Sequence, residues 1–306
     1  MNSFNHWMVC LDLTNMDDIL LGYSKYFSTV LKPEAVTFLH IVEAPEVAED
    51  LQELFPEADG IRELEEVIRD ELASKIEKYY GDPNTDIDTQ ILIKSGNATN
   101  RIIELMEGVK PDLLFLGKKS GYPGEGVIAR RVVKYVPCSI LFVPENSRYR
   151  LENLLVPIDF SRQSAKAIRC AEMIAEAGEG RFKAQHVYKY PARFFPYIPS
   201  DEFEETMQEH LDEELNKFKK KNEVDSSFEC VFSVNDGNKA GDKIYDQAVR
   251  EQTDLIIVGA KGRSNVAALL TDELADKLAD YQFGIPLLIY KDKKEHMSLL
   301  KTLLDK

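Results

Sequence analysis

Positive charge is in short supply in this 306-residue sequence: 38 Lys and Arg face 53 Asp and Glu, for a formal net charge of −15. A field of that sign repels nucleic acid and anionic membrane surfaces, so neither is an expected partner. The one dense basic run, Lys217-Phe-Lys-Lys-Lys221, closes a segment opened by acids. It reads as a cationic last helical turn opposing the helix dipole rather than as a binding patch. Cysteine is sparse as well. Cys10, Cys138, Cys170 and Cys230 are scattered, with no two at metal-ligand or redox-motif spacing, which leaves buried free thiols as the expected reading. No apolar run approaches the ~20 residues that cross a bilayer, and no cationic start followed by an apolar stretch precedes the first strand. The expected location is the cytoplasm. A Walker loop, a nucleophile elbow, a metalloprotease helix and a paired-cysteine zinc site are all missing, so an enzyme of ordinary kind is not expected.

What the sequence does contain is the same order of signals twice. Trp7-Met-Val-Cys-Leu-Asp12 and Leu154-Leu-Val-Pro-Ile-Asp159 are apolar runs ending in an acid. Apolar runs closing on His40 and His186 follow, then Asp-Leu runs closing on Gly117 and Gly259. The paired landmarks lie 147, 146 and 142 residues apart. A unit of about half the chain is therefore duplicated.

Each copy reads as five strands alternating with helices. In the first, strands are expected at Trp7 to Leu11, Val36 to Val42, Thr89 to Ile93, Leu113 to Leu116 and Ile140 to Val143. Thr14-Asn-Met-Asp17 has the form of a capping box opening a helix that runs to about Leu31. Apolar residues Ile61, Leu64, Val67, Ile68, Leu72 and Ile76 recur at helical spacing between Gly60 and Tyr80 and define one buried face. Further helices are expected at about Asn100 to Glu107 and Val127 to Tyr135. The second copy gives strands Leu154 to Ile158, Lys183 to Tyr188, Glu229 to Val234, Leu255 to Val258 and Leu287 to Tyr290. Its helices are expected near Ser164 to Glu176, Asp201 to Asn222, Asp242 to Glu251 and Asp272 to Tyr281. Strands apolar throughout and separated by helices imply α/β modules, each an open, mostly parallel five-stranded sheet with helices on both faces. Glu145 to Arg150 is the expected linker between domains at 1–146 and 151–306. The aromatic and proline-rich stretch Tyr188 to Pro199 reads as a loop packed by its own rings. Asp292 to Lys306 reads as an amphipathic tail helix.

Ligands of open parallel sheets bind beyond the carboxyl ends of the strands. Asp12, Asp159, His40, Ile41, His186, Val187, Gly117 and Gly259 stand there. A strand-end histidine satisfying a loop carbonyl is the expected role of His40 and His186. Val156-Pro-Ile-Asp-Phe-Ser161, His186-Val187 and Asp254-Leu-Ile-Ile-Val-Gly-Ala-Lys-Gly-Arg263 resemble the universal stress protein family, with the first half a more worn copy. The resemblance implies an adenine nucleotide alpha hydrolase-like fold in tandem. It also implies fifth strands, here Ile140 to Val143 and Leu287 to Tyr290, that pair across a pseudo-twofold axis into an internal pseudo-dimer. A homodimer and further protein partners are compatible with it.

By the same resemblance, Asp12 and Asp159 contact the adenosine part of a nucleotide, Ile41 and Val187 line the adenine, and a glycine-rich stretch wraps the phosphates. Gly117, Gly121, Gly124 and Gly126 supply that stretch in the first half, and Gly259 and Gly262 in the second. Glycines let backbone amides approach, and a helix N-terminus attracts anions. Both halves depart from the pattern. Asp272 and Glu273 occupy the Gly-Ser/Thr positions of the second half, where carboxylates repel a triphosphate. The first-half loop is shorter and carries Val127 where a hydroxyl belongs, although Lys118 and Lys119 are cations suited to an anion. A dinucleotide fingerprint at Gly124 to Ala129, with Glu145 as its acid, sits after the fourth strand rather than the first, the wrong context. The expectation is thus a cytoplasmic stress-response protein acting by binding and regulation, with weak ATP binding or none. The rival readings are an ATP switch with slow hydrolysis using the first glycine loop and Asp12, and an apolar-ligand sensor using the Tyr188 to Pro199 aromatics.

Overall fold

The computed structural model describes residues 4–42, 60–82, 86–119, 127–189, 201–224, 227–235, 240–260 and 284–292. The chain forms two compact units, with the division between Tyr149 and Arg150. The first contains β1 (His6–Leu11), α1 (Met16–Leu31), β2 (Ala35–Val42), α2 (Gly60–Tyr80), β3 (Asp88–Ser95), α3 (Ala98–Val109), β4 (Leu113–Lys118), α4 (Val127–Tyr135) and β5 (Ser139–Pro144). The second contains β6 (Asn153–Ile158), α5 (Arg162–Ala177), β7 (Arg181–Tyr188), α6 (Asp201–Asn222), β8 (Glu229–Val234), α7 (Ala240–Arg250), β9 (Leu255–Gly259) and β10 (Leu287–Tyr290).

Within the first unit the strands run in the order 3-2-1-4-5 with every pairing parallel. The second repeats that order as 8-7-6-9-10, again all parallel. The chain leaves the first strand of each unit toward one side of the sheet and later returns on the other. The carboxyl ends of β1 and β4, and of β6 and β9, therefore flank a topological switch point, where a crevice opens. Among the described residues no helix is long and apolar enough to cross a membrane.

An acid fastens the start of the first strand in each unit. Asp112 Oδ2 accepts the amides of Asn5 and His6 at 3.1 and 2.9 Å, and Asp254 Oδ2 accepts those of Glu152 and Asn153 at 3.0 Å each. Arg150 Nε adds a 2.8 Å bond to Asp254 Oδ1, whose side chain is 2% exposed. These bonds add a residue to the front of each first strand beyond the sequence expectation.

The two cores differ in side-chain size. Trp7, Phe27 and Phe115 pack with ring centroids 5.1–6.0 Å apart, and α1 presents Met16, Leu20, Tyr23 and Phe27 to β1 and β4. At the matching positions α5 carries Gln163, Ala167, Cys170 and Ile174. Smaller side chains bring its backbone closer to the sheet. A Cβ placed on Gly117 meets the Met16 side chain at 2.6 Å, whereas one on Gly259 meets the backbone carbonyl of Gln163.

The buried face of α2 consists of Ile68, Leu72, Ile76 and Tyr80, spaced four apart, and Val67 is 64% exposed. Its place in the expected face is thus corrected: at one residue from Ile68 it turns 100° away. The side chains of Ile61 and Leu64, the expected helix at 272–281, the aromatic stretch 190–199 and the tail at 293–306 lie outside the described residues. All four cysteines are free. Burial raises the thiols of Cys10 and Cys230 to about 12, the charge of Cys138 adding to the effect at Cys10. Burial raises Cys170 as well, so these three are uncharged at neutral pH.

Replacing Asp254 by Ala strips three donors of a buried acceptor and is expected to cost about 2–4 kcal/mol of stability. Arg150→Ala removes one partly exposed arm and is expected to cost about 1 kcal/mol or less. Denaturant midpoints of the two variants at constant m-value check the ranking.

Candidate functional site

The turn after the first strand of each unit spans six residues, 12–17 and 159–164, with the same hydrogen-bond pattern. Asp12 and Asp159 directly follow β1 and β6. The next residue, Leu13 or Phe160, adopts a left-handed backbone with φ of 61° and 58°, an uncommon state for side chains of this size. The carboxylate Oδ1 then accepts an amide two residues on, from Thr14 at 3.2 Å and from Ser161 at 3.0 Å. The amide of the acid itself is capped five residues on, by Asp17 Oδ1 at 2.8 Å in one unit and Ser164 Oγ at 3.0 Å in the other. Asx-type bonding of this kind holds an irregular turn that a helix can follow.

The expected capping box forms only in part. Thr14 Oγ1 accepts the Met16 amide at 3.2 Å. The Asp17 carboxylate, however, reaches back to Asp12 rather than to Thr14. In the second unit Ser161 is the N-cap, its hydroxyl accepting the Ser164 amide at 3.3 Å, so the helix starts at Arg162, earlier than periodicity alone indicates.

The first site is occupied by its own charges. Lys119 Nζ, just beyond β4, lies 2.5 Å from Asp12 Oδ2, and Thr14 Oγ1 donates to Oδ1 at 2.6 Å. Burial alone would raise the Asp12 carboxyl, but the bonds from Lys119 and Thr14 outweigh it and hold the group below the ordinary 3.8. Behind it, Asp17 is fully buried and paired with Lys75 of α2 at 3.3 Å. Burial lifts the Asp17 carboxyl above 3.8, the Asp12 amide and Lys75 opposing and the Asp12 charge adding.

Under the second turn a hydroxyl stands where Asp17 stands under the first. Ser164 Oγ donates to Asp159 Oδ1 at 2.7 Å, and Phe160 lies on the His186 imidazole with centroids 4.3 Å apart. His40 Nδ1 meets the Leu11 carbonyl at 3.0 Å and His186 Nδ1 that of Ile158 at 2.9 Å. Both therefore hold strand ends together, as their positions in the sequence imply.

Ile41 and Val187 are half-buried at the carboxyl ends of β2 and β7, each beside its histidine. Gly117 is the penultimate residue of β4, and Gly259 closes β9. Gly121, Gly124, Gly126 and Gly262, together with Asp272 and Glu273, lie outside the described residues. The structure thus brings Asp12 and Lys119 together across the switch point. Lys119, expected as a cation suited to an anion, is paired with Asp12. From the sequence Asp17 is expected in a capping box and Ser164 at a helix start, and neither as the group that caps the amide of the strand-end acid, although the 147-residue offset aligns Thr14 with Ser161 and Asp17 with Ser164. Among the described residues no cluster suited to a metal ion occurs.

Residues 150–291 match the model of the universal stress protein family. No curated protein matches the chain. Among solved structures, a protein of Pseudomonas aeruginosa UCBPP-PA14 assigned to the universal stress proteins superposes with a TM-score of 0.64 at 14% identity, covering 99% of this chain and 98% of the other. A universal stress protein of Archaeoglobus fulgidus DSM 4304 gives 0.63 at 15% identity, covering 94% and 98%. At these identities the likeness is one of fold.

Asp17→Ser, which installs the side chain of the second unit, keeps an acceptor for the Asp12 amide and removes a buried charge. The raised folded-state value means that the native chain holds this proton more tightly than the unfolded chain. Ionising Asp17 therefore costs stability as pH rises past 3.8. The variant is expected to gain on the parent between about pH 4 and pH 7, read from thermal or urea unfolding across that range. Gly259→Ala, forced against backbone, is expected to cost about 2–3 kcal/mol, and Gly117→Ala, against a movable methionine, about 1 kcal/mol.

Proposed function

We propose that this chain, whose residues 150–291 match the model of the universal stress protein family, is a stress-response protein working by binding and regulation at two unequal adenine-nucleotide-type sites. The observation that carries this reading is the acid turn at the switch point of both units, with Asp12 and Asp159 held in the same cradle. An acceptor fixed at the carboxyl end of a first parallel strand suits the hydroxyls of a ribose. Ile41 and Val187 offer apolar surface to a base beside it. In the first unit Lys119 supplies the cation that a phosphate needs.

Both sites are degenerate in this proposal. Asp12 must give up Lys119 before it can accept a ribose hydroxyl. The second unit carries Asp272 and Glu273 in sequence positions where a phosphate site wants glycine and a hydroxyl. The ligand class is therefore ATP or another adenine nucleotide, held weakly, and the regulatory output passes to protein partners. The cytoplasm is the proposed location, in keeping with four free thiols.

Isothermal titration of the full chain with ATP is expected to give a dissociation constant weaker than about 100 μM. Low-micromolar affinity would contradict the degenerate character of the sites. Loss of the residual signal in the double variant Asp12→Asn, Asp159→Asn would place it at the two turns.

A further inference from the structure

We infer that the Asp12–Lys119 pair couples two subsites of the first unit, so that this site selects a phosphorylated nucleoside over a bare one. The inference rests on the reading of that turn as a nucleotide-type site. Both oxygens of Asp12 are already engaged: Oδ1 takes the Thr14 amide and hydroxyl at 3.2 and 2.6 Å, and Oδ2 takes Lys119 at 2.5 Å. A ribose hydroxyl that needs Oδ2 as an acceptor must therefore displace a cation. Among the described residues, Lys75 and Asp18 are engaged elsewhere. Lys75 is held by Asp17 at 3.3 Å and Glu71 at 3.6 Å, and Asp18 takes the Tyr79 hydroxyl at 3.1 Å.

A phosphate resolves the conflict. The Lys119 side chain is 22% exposed and that of Asp12 52%, so the pair sits at the rim of the crevice and contributes only a few-fold to any equilibrium. An anion that takes Lys119 replaces one negative partner by another, at little cost, and releases Asp12 Oδ2 toward the nucleoside. Each ligand part then favours the other by the same factor, since coupling between sites is reciprocal. The same swap explains how a cation and an acid so close together serve one ligand: they face its two ends in turn.

The test uses the full chain in an Asp159→Asn background, with adenosine and inorganic pyrophosphate as separate titrants in a calorimeter. Saturating pyrophosphate is expected to tighten adenosine binding about fivefold. Lys119→Met is expected to tighten adenosine about threefold to fivefold without pyrophosphate and to abolish the enhancement. Asp12→Asn is expected to tighten pyrophosphate by a similar factor while weakening adenosine. These gains of affinity have opposite ligands, and loss of fold produces neither, so a melting curve on each sample and either variant alone suffice for a decision. A folded Lys119→Met protein whose adenosine affinity does not rise, or a folded Asp12→Asn protein whose pyrophosphate affinity does not rise, overturns the coupling and leaves the site reading standing. Failure of the parent and both variants to bind either titrant overturns the site reading itself.

Discussion

A carboxylate that accepts an amide two residues ahead, while its own amide is taken five residues ahead, fixes the chain where the first strand of each unit gives way to a helix. Nothing regular satisfies the backbone at that point: the strand ladder has ended and the helical ladder has not begun. The acid closes the gap from one side and Asp17 or Ser164 from the other. A left-handed residue between them turns the chain sharply enough for the helix to fold back over the sheet. The placement of Asp12 beside β4 and the entry of α1 and α5 both follow from this local solution.

The two units solve the same problem with different chemistry. The first uses charge: a buried acid under the turn, a lysine from α2 to neutralise it, and a second lysine across the switch point. The second uses hydroxyls under the turn and an aromatic ring over the histidine. The charged version depends on pairing, because an acid buried without a partner is costly. The hydroxyl version does not, and it frees the neighbouring helix from supplying a cation. One backbone thus hosts an acid under one turn and an alcohol under the other.

Much of the fold was legible in the sequence because apolar runs and helical spacing report burial directly. The strand positions, the parallel pairing of strands within each unit and the extents of α2, α4 and α6 follow from that signal. The roles of His40 and His186 were legible too, since each falls at the end of its run. Side-chain partners were not legible. Val67 fits a helical pattern by hydrophobicity but not by angle, and Lys119 looks available until the turn places Asp12 beside it. Asp17 and Ser164 escape a search for chemical likeness because an acid and an alcohol share only the capacity to accept a hydrogen bond.

The unequal standoff of α1 and α5 bears on how far each strand-end glycine can be replaced. Beside Gly117 the groups that a Cβ would meet are the methionine and leucine side chains of α1, which can shift. Alanines beneath α5 leave the helix backbone resting against Gly259, where no replacement fits. Gly259 is thereby the less replaceable of the two strand-end glycines, and it lies within the residues 150–291 that match the family model.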